Sequence, residues 1–396
     1  MNLLFIQGGS RWKFDAEGNV YTDSNFNNNV WNRYLKHCDK LTVILRREER
    51  IYTFEEASKR FNKFNYKKIN FVSLPDIYKP VWNVVNFKNR RIIEKTIARE
   101  VKLADAIVIR SLGNIYTNTA LKYSQRYGKK YLVEVTGFAK ESLWYHSLHG
   151  KFVANYKDSQ YKRLMSSVDY GVYVTQEALQ RRYPCRKEAL GCSDVEIKLP
   201  SDEVLSKRLS RLDSIKNREF VIGTAAFLDV QWKGQRNVLK AIAKLDKLGI
   251  KNIRYQMIGA GTGEKLVDLA KKLNISDRVS ILGSMPHEKV FEWMDGIDIY
   301  VQPSYMEGLC RSIVEAMSRA CPVICSNVGG NYELVKSEYL YEAKDYEELA
   351  SKLLWLIEDK EQLKLASKIN FSKSKMFEAE DLNYKREVFY RKVLES

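Results

Sequence analysis

Short apolar runs and segments of helical period alternate along this chain in two successive series. In the first, strand-like runs fall at 3–6, 41–45, 106–109, 131–135 and 171–174, with amphipathic stretches such as 90–102 between them. The second follows a charged stretch at 201–218 and predicts strands at 220–223, 253–258, 279–282, 297–301 and 322–325. Between and after these it predicts helices at 235–248, 264–273, 287–294, 312–320 and 347–358. Strands that alternate with helices imply parallel sheets, so the chain reads as two α/β domains of Rossmann-like type. Residues 1–200 form the first, 201–217 a linker and 218–375 the second. The remaining residues, 376–396, form a helix long enough to cross back to the first domain. Ligand crevices in such domains open at the carboxyl ends of the strands, and two domains that face one another share a cleft there.

With 396 residues the chain has room for about two cores. No apolar run approaches the length that spans a bilayer, and the opening residues lack the profile of a signal peptide, which predicts a cytoplasmic protein. The six cysteines form no C-x-x-C pair and are expected as free thiols. Four histidines without His/Cys pairing predict no metal site. The net charge of +17 is uneven, with +15 on residues 1–200 and +2 on residues 201–396. A basic first half favours a polyanionic partner: nucleic acid, an anionic membrane surface or a phosphorylated substrate. No helix-turn-helix, zinc or RNP-like pattern accompanies the charge, which argues against nucleic acid.

The most specific signal is the run from Pro303 to Met317, in which a predicted strand ends, a loop carries Glu307, and a helix opens near Leu309 with Glu315 inside it. Unpaired amide groups at such a helix start suit a diphosphate. A second signal is Trp232-Lys233-Gly234, between a strand and a helix. The run Gly259-x-Gly261-x-Gly263 invites a dinucleotide-binding reading, but the next strand ends at Gly283-Ser284-Met285 without the acid that reading needs.

Taken in order, Ile258-Gly259-Ala260-Gly261, Val279 to Gly283, the two glutamates seven residues apart, Cys321 to Ile324 and Val328-Gly329-Gly330 resemble glycosyltransferase family 4. These are retaining nucleotide-sugar enzymes of GT-B fold, and the resemblance covers the second half. It implies that Glu307 lies by the donor hexose and that Glu315 accepts hydrogen bonds from the ribose. Gly308, Leu309, Cys310 and Arg311 would offer backbone amides to sugar and diphosphate, and Lys233 would neutralise the diphosphate. Gly261, Ser284 and Met285 resemble the nucleobase pocket, and Thr224 joins the donor-binding set. Where the family usually has a second glycine this chain has Cys310, and it lacks the arginine that often precedes the lysine; Arg311 is expected to compensate. In the first half, Gly8-Gly9 resembles a glycine loop that approaches the donor phosphates. Thr136 stands where a family histidine often does, which leaves His146 as the candidate for the donor sugar's primary hydroxyl, or as a structural histidine.

The resemblance thus implies a retaining, metal-independent hexosyltransferase in which Glu307, Lys233 and His146 carry the chemistry. It needs no cofactor and takes a nucleotide-diphosphate sugar as donor, UDP favoured over GDP. The partners it implies are a lipid-linked or glycan acceptor and an anionic membrane surface, with the protein peripheral at the inner face of the plasma membrane in capsule, O-antigen or exopolysaccharide synthesis. A catalytically silent nucleotide-sugar-binding protein and a sugar-nucleotide epimerase of the same fold remain as alternatives.

Overall fold

A computed structural model of the chain describes residues 1–23, 26–64, 68–146, 148–215 and 219–395, without the side chains of Val81, Trp82 and His146. The first sheet is built from β1 (Asn2–Asp15), β2 (Val20–Thr22), β3 (Lys40–Tyr52), β4 (Asn62–Lys63), β5 (Ile69–Leu74), β6 (Ala106–Arg110), β7 (Lys130–Val135), β8 (Tyr170–Tyr173) and β9 (Glu188–Gly191). Its parallel body has the order β5-β3-β1-β6-β7-β8-β9, and β2 and β4 add a short antiparallel extension beside the far end of β1. The second sheet, wholly parallel, is built from β10 (Phe220–Ala225), β11 (Ile253–Ile258), β12 (Val279–Gly283), β13 (Ile299–Gln302), β14 (Val323–Ser326) and β15 (Leu340–Tyr341). Its order is β12-β11-β10-β13-β14-β15.

In each sheet the strand order reverses direction once, between β1 and β6 and between β10 and β13. The loops on either side of that reversal diverge and leave a crevice at the carboxyl edge. Central strands are buried on both faces, which is why they read as continuous apolar runs: Leu3 to Ile6 and Ala106 to Ile109 are all shielded from solvent.

The strand expected at 3–6 continues through Gly8-Gly9-Ser10 to Asp15, with a break in register against β3 between Ile6 and Arg11. The stretch from 201 to 217, expected as a linker, contains the helix Asp202–Asp213 on the second domain. There the buried Arg208 donates to the carbonyls of Met294 (2.7 Å) and Arg319 (3.2 Å). The two passages between domains run side by side, where Ile197 N donates to Phe377 O at 3.0 Å and Ala379 N to Ile197 O at 2.9 Å.

The terminal helix Ala379–Tyr390 returns to the first domain, where Tyr390 stacks on Tyr34 with ring centres 6.3 Å apart. Both tyrosine hydroxyls donate to Oε1 of the buried Glu134. Burial opposes ionisation of Glu134, but Arg110, 2.5 Å from its other oxygen, outweighs burial together with Tyr390, Arg33 and Tyr34, and its pKa is lowered. This network ties the last residues of the chain to the centre of the first sheet.

Candidate active site

The reversal between β10 and β13 brings together the loops that carry Lys233 and Glu307. After β10 the chain makes a tight turn at Gln231–Lys233 and leaves it through Gly234 at φ 75°. A Cβ on Gly234 would lie 1.9 Å from Pro303 O, so only glycine lets the two loops touch. Tyr305 N donates to Trp232 O at 2.7 Å and fixes their register.

Lys233 Nζ then sits 2.7 Å from Glu307 Oε1. Burial works against the ammonium, but Glu307 outweighs it, and the lysine pKa is raised. Beneath the pair a polar spine holds one geometry. Tyr300 Oη donates to Gln302 Oε1 (2.7 Å), Ser312 Oγ donates to the same oxygen (3.2 Å), and Gln302 Nε2 donates to Ser304 Oγ (2.8 Å).

The helix Arg311–Ser318 begins at Cys310, and no side chain caps it, so its first amides remain available to an anion. Burial, reinforced by Glu307, pushes the Cys310 thiol up to about 12; it is a neutral wall of the site rather than a nucleophile. Glu315, inside the helix and nearly buried, has its Oε1 3.0 Å from His287 Nε2.

Three glycines press the loop into place. A Cβ on Gly329 (φ 55°) would meet Glu307 O at 1.9 Å, Gly330 N donates to Gly308 O at 2.8 Å, and a Cβ on Gly308 would meet Thr136 O of the first domain at 2.6 Å. The domains therefore touch at the loop that holds Glu307, and Leu309 packs into the cores on both sides.

The other expected residues separate. Thr224 is not presented to the cleft: its hydroxyl donates to Val301 O at 2.7 Å and accepts from Tyr255 Oη at 2.9 Å, because its position in β10 points into the core. Gly8 and Gly9 lie inside β1 rather than in a loop. A Cβ on Gly8 would stand 2.2 Å from the Asn114 side-chain oxygen and would displace that side chain. Gly261, at φ 119°, lies against Asp229. Ser284 and Met285 follow β12 at its carboxyl edge, Ser284 exposed and Met285 half-buried. Arg311 reaches across to the first domain, its guanidinium 3.5 Å from Asp194 O. His146 ends the helix Ala139–His146, and its side chain lies outside the described residues. Among the described residues no His, Cys, Asp and Glu side chains cluster to hold a metal ion.

Sequence reasoning missed four further residues of the cleft. Asp229 accepts from Thr262 N and Gly263 N, both at 2.9 Å, and so shapes the glycine turn after β11. Its only sequence signal is an acid in the loop before Trp232. Glu333 reaches from the second domain to the backbone amides of Gln176 (2.6 Å), Glu177 (3.0 Å) and Ala178 (2.6 Å) in the first; no local pattern marks a contact over such separation. Ser111 adopts φ 61° after β6, a conformation unfavourable for a residue with a Cβ, and its Oγ meets Thr136 Oγ1 at 2.7 Å. Lys344, at φ 79°, holds its ammonium over Tyr145 of the first domain and Tyr305 of the second, 5.4 and 5.1 Å from the ring centres.

Residues 212–372 match the family of glycosyl transferases group 1. Protein CapJ of Staphylococcus aureus is 32% identical over 348 residues, 87% of this chain and 83% of that protein. Among solved structures, Anabaena HepE in complex with UDP-glucose superposes with a TM-score of 0.64 at 18% identity, over 99% of this chain and 100% of that one. The apo form of the lipopolysaccharide outer core galactosyltransferase WaaB gives a TM-score of 0.62 at 14% identity, over 99% of each chain. The two facing parallel sheets, the glycine-shaped loops at the second switch point and a relative similar over most of the chain agree: this protein has the GT-B fold and belongs to the glycosyl transferases group 1 family.

Proposed function

We propose that this glycosyltransferase moves a hexose from UDP to a hydroxyl of a lipid-linked glycan, with retention at the anomeric carbon and without a divalent ion, during surface-polysaccharide assembly. The observation that carries the reading is the half-buried Lys233–Glu307 pair beside the uncapped start of helix Arg311–Ser318. A diphosphate entering there meets an ammonium and several amides, which supply the charge that a metal provides elsewhere. HepE is a structural relative that carries UDP-glucose, which supports a uridine nucleotide. The likeness to the lipopolysaccharide galactosyltransferase and the basic first half support a cell-surface glycan on an anionic lipid carrier at the cytoplasmic leaflet.

In the proposed reaction the bond from the anomeric carbon to the diphosphate oxygen breaks, and its electron pair passes to the phosphate. The acceptor oxygen bonds to the same face of the carbon, and its proton passes to the departing phosphate oxygen. Lys233 and the helix amides lower the cost of the developing negative charge. Glu307 orients the sugar, and Glu315 holds the ribose in place of its His287 contact.

Thermal-shift titration with UDP, GDP and ADP, followed by product analysis with UDP-sugars and a glycan acceptor, tests this. The expected result is a stability gain that grows with UDP concentration and transfer that retains configuration. UDP binding without transfer would leave a silent donor-binding protein, conversion of the donor without acceptor would mean an epimerase, and an unchanged melting curve would overturn the donor site itself.

A further inference from the structure

Four large, strongly exposed apolar side chains of the first domain lie on two helices of one face. Phe152 is 88% exposed, Phe87 83%, Leu148 73% and Tyr156 65%. Leu148, Phe152 and Tyr156 are spaced four residues apart on the helix Leu148–Met165 and so form one straight ridge. Phe87 opens the helix Phe87–Leu103.

These two helices and Ile115–Arg126 between them pack into one core on the same face of the sheet: Ile93, Ile97, Tyr116, Leu121, Tyr161 and Met165 all contribute. In a parallel sheet each crossover leaves a strand's carboxyl end and returns to the amino edge. Helix Phe87–Leu103 follows β5, and Leu148–Met165 precedes β8, so the first turns of both lie toward the carboxyl edge, where the cleft opens. Just before the ridge, Tyr145 meets Tyr305 across the cleft with ring centres 5.9 Å apart. The apolar rim and the mouth of the cleft are neighbours.

Cations surround these side chains. Lys88, Arg91 and Lys95 follow Phe87 on its helix, and Lys151 lies next to Phe152 on the ridge helix. None is ion-paired with a carboxylate among the described residues, although Lys151 lies over the ring of Trp144 at 5.9 Å. A second copy of the chain is a poor occupant, because a twofold contact would bring these like charges together. A peptide groove is absent from the geometry: the ridge is a convex line of side chains on the outer face of a helix. A convex apolar line bordered by unpaired cations has the composition of an interfacial helix, with its apolar side at the acyl boundary and its cations at the headgroups.

We infer that this rim, with Phe152, Leu148, Tyr156 and Phe87 as its apolar contacts and Lys88 and Lys151 among its cations, docks the first domain on an anionic lipid surface and sets the cleft mouth against the headgroups. The inference deepens the proposed function, since it names the surface through which a lipid-linked acceptor reaches the site. The donor site does not depend on it.

Flotation of the whole chain with phosphatidylcholine vesicles, and with vesicles that also contain phosphatidylglycerol, tests the docking. The expected result is binding to the anionic vesicles alone, weakened by salt. Leu148→Ser with Phe152→Ser should lower the partition at least about tenfold. Lys88→Ala with Arg91→Ala should lower it about fivefold for each charge removed. Leu248→Ser, which removes an exposed apolar residue of the second domain, should leave it unchanged. All variants should keep the thermal shift with UDP. Equal binding to neutral vesicles, variants that float as the parent does, or a dimer in sedimentation velocity that Phe152→Ser dissolves would each overturn the docking surface. Failure of the UDP shift in the parent, with flotation intact, would instead overturn the donor reading.

Discussion

At the switch point of the second domain, between β10 and β13, two loops meet through a half-buried ammonium–carboxylate pair, Lys233 and Glu307. At that of the first, between β1 and β6, Gly8 within β1 packs against the side chain of Asn114, so closely that a Cβ there would displace the Asn114 side chain. One crevice is kept polar and poised, the other is filled. Under the proposed function, the second domain commits its switch point to the nucleotide donor. The first closes its own and presents the ends of β6 and β7, Ser111 and Thr136, together with a cationic rim, to whatever approaches from outside.

The comparison breaks most visibly if the charge at the second switch point is removed. Lys233→Ala deletes a charge-assisted contact worth about 1.5 to 3 kcal/mol and strands Glu307, so kcat/KM for the UDP-sugar should fall about 100-fold. Initial rates over a donor series read this directly; a loss in KM alone would mean that Lys233 grips the ground state as firmly as the transition state. Because its pKa is raised, the ammonium persists through neutral and mildly alkaline solution. Donor affinity should hold as pH rises from about 7 to about 9 and fall only beyond the ordinary lysine range.

The next largest effect comes from prising the two domains apart where they touch. Gly308→Ala sets a methyl 2.6 Å from Thr136 O, closer than the backbone tolerates, so the cleft closes incompletely. Turnover should fall about tenfold, because the reacting groups lose alignment. UDP binding by calorimetry should change little if, as proposed, the second domain alone holds the nucleotide. A matching loss of UDP affinity would show that the substitution distorts the donor loop instead.

The same contrast explains what the sequence reveals. In the second domain the strand at 253–258 has the predicted bounds, and the other four predicted strands shift at one or both ends by one or two residues, because short apolar strands between amphipathic helices follow local rules; the two-residue edge strand Leu340–Tyr341 is too short to leave such a pattern. The Lys233 and Glu307 loops were recognisable because each carries a short, chemically distinctive run, Trp232-Lys233-Gly234 and Glu307-Gly308, between a strand and a helix, although 74 residues separate the two. Thr224 was not, since periodicity cannot tell which side of a doubly buried strand faces a cleft. In the first domain β1 and β3 run to 14 and 13 residues through polar positions. Their continuation depends on the register break beside Arg11 and on the short antiparallel strands, which are long-range pairings. Glu333 and Ser111 matter through contacts with distant backbone and through an unfavourable φ, neither of which leaves a pattern in the chain.

The first domain has its own buried charge, but there it serves cohesion. Tyr390 and Tyr34 donate to one oxygen of Glu134, and Arg110 pairs with the other. Tyr390→Phe should cost about 2 kcal/mol in urea unfolding at neutral pH, a typical value for a buried hydrogen bond to a charged group. Glu134 has a lowered pKa in the folded chain. Its contribution is complete above the unfolded carboxyl pKa and is lost as pH falls through the folded one. The gap between parent and variant should therefore narrow in acid. A gap that stays constant would assign the cost to packing alone.

The smallest effect tests how firmly the halves are held in register. The Glu333 carboxylate accepts three backbone N–H groups of the first domain, so it acts as a cap supplied by the opposite domain. Glu333→Gln keeps an acceptor oxygen but removes the charge and replaces the other oxygen with a donor facing N–H groups. The contact lies near the surface, where salt screens it, and the loss should be about 1 kcal/mol. That small term acts on the closed arrangement and not on either domain alone, so kcat should fall about fivefold while the melting transition barely moves. Raising the ionic strength should weaken the parent toward the variant. If the melting transition falls with turnover, Glu333 stabilises its own loop, and the hold between the two domains rests on Gly308 and Leu309 instead.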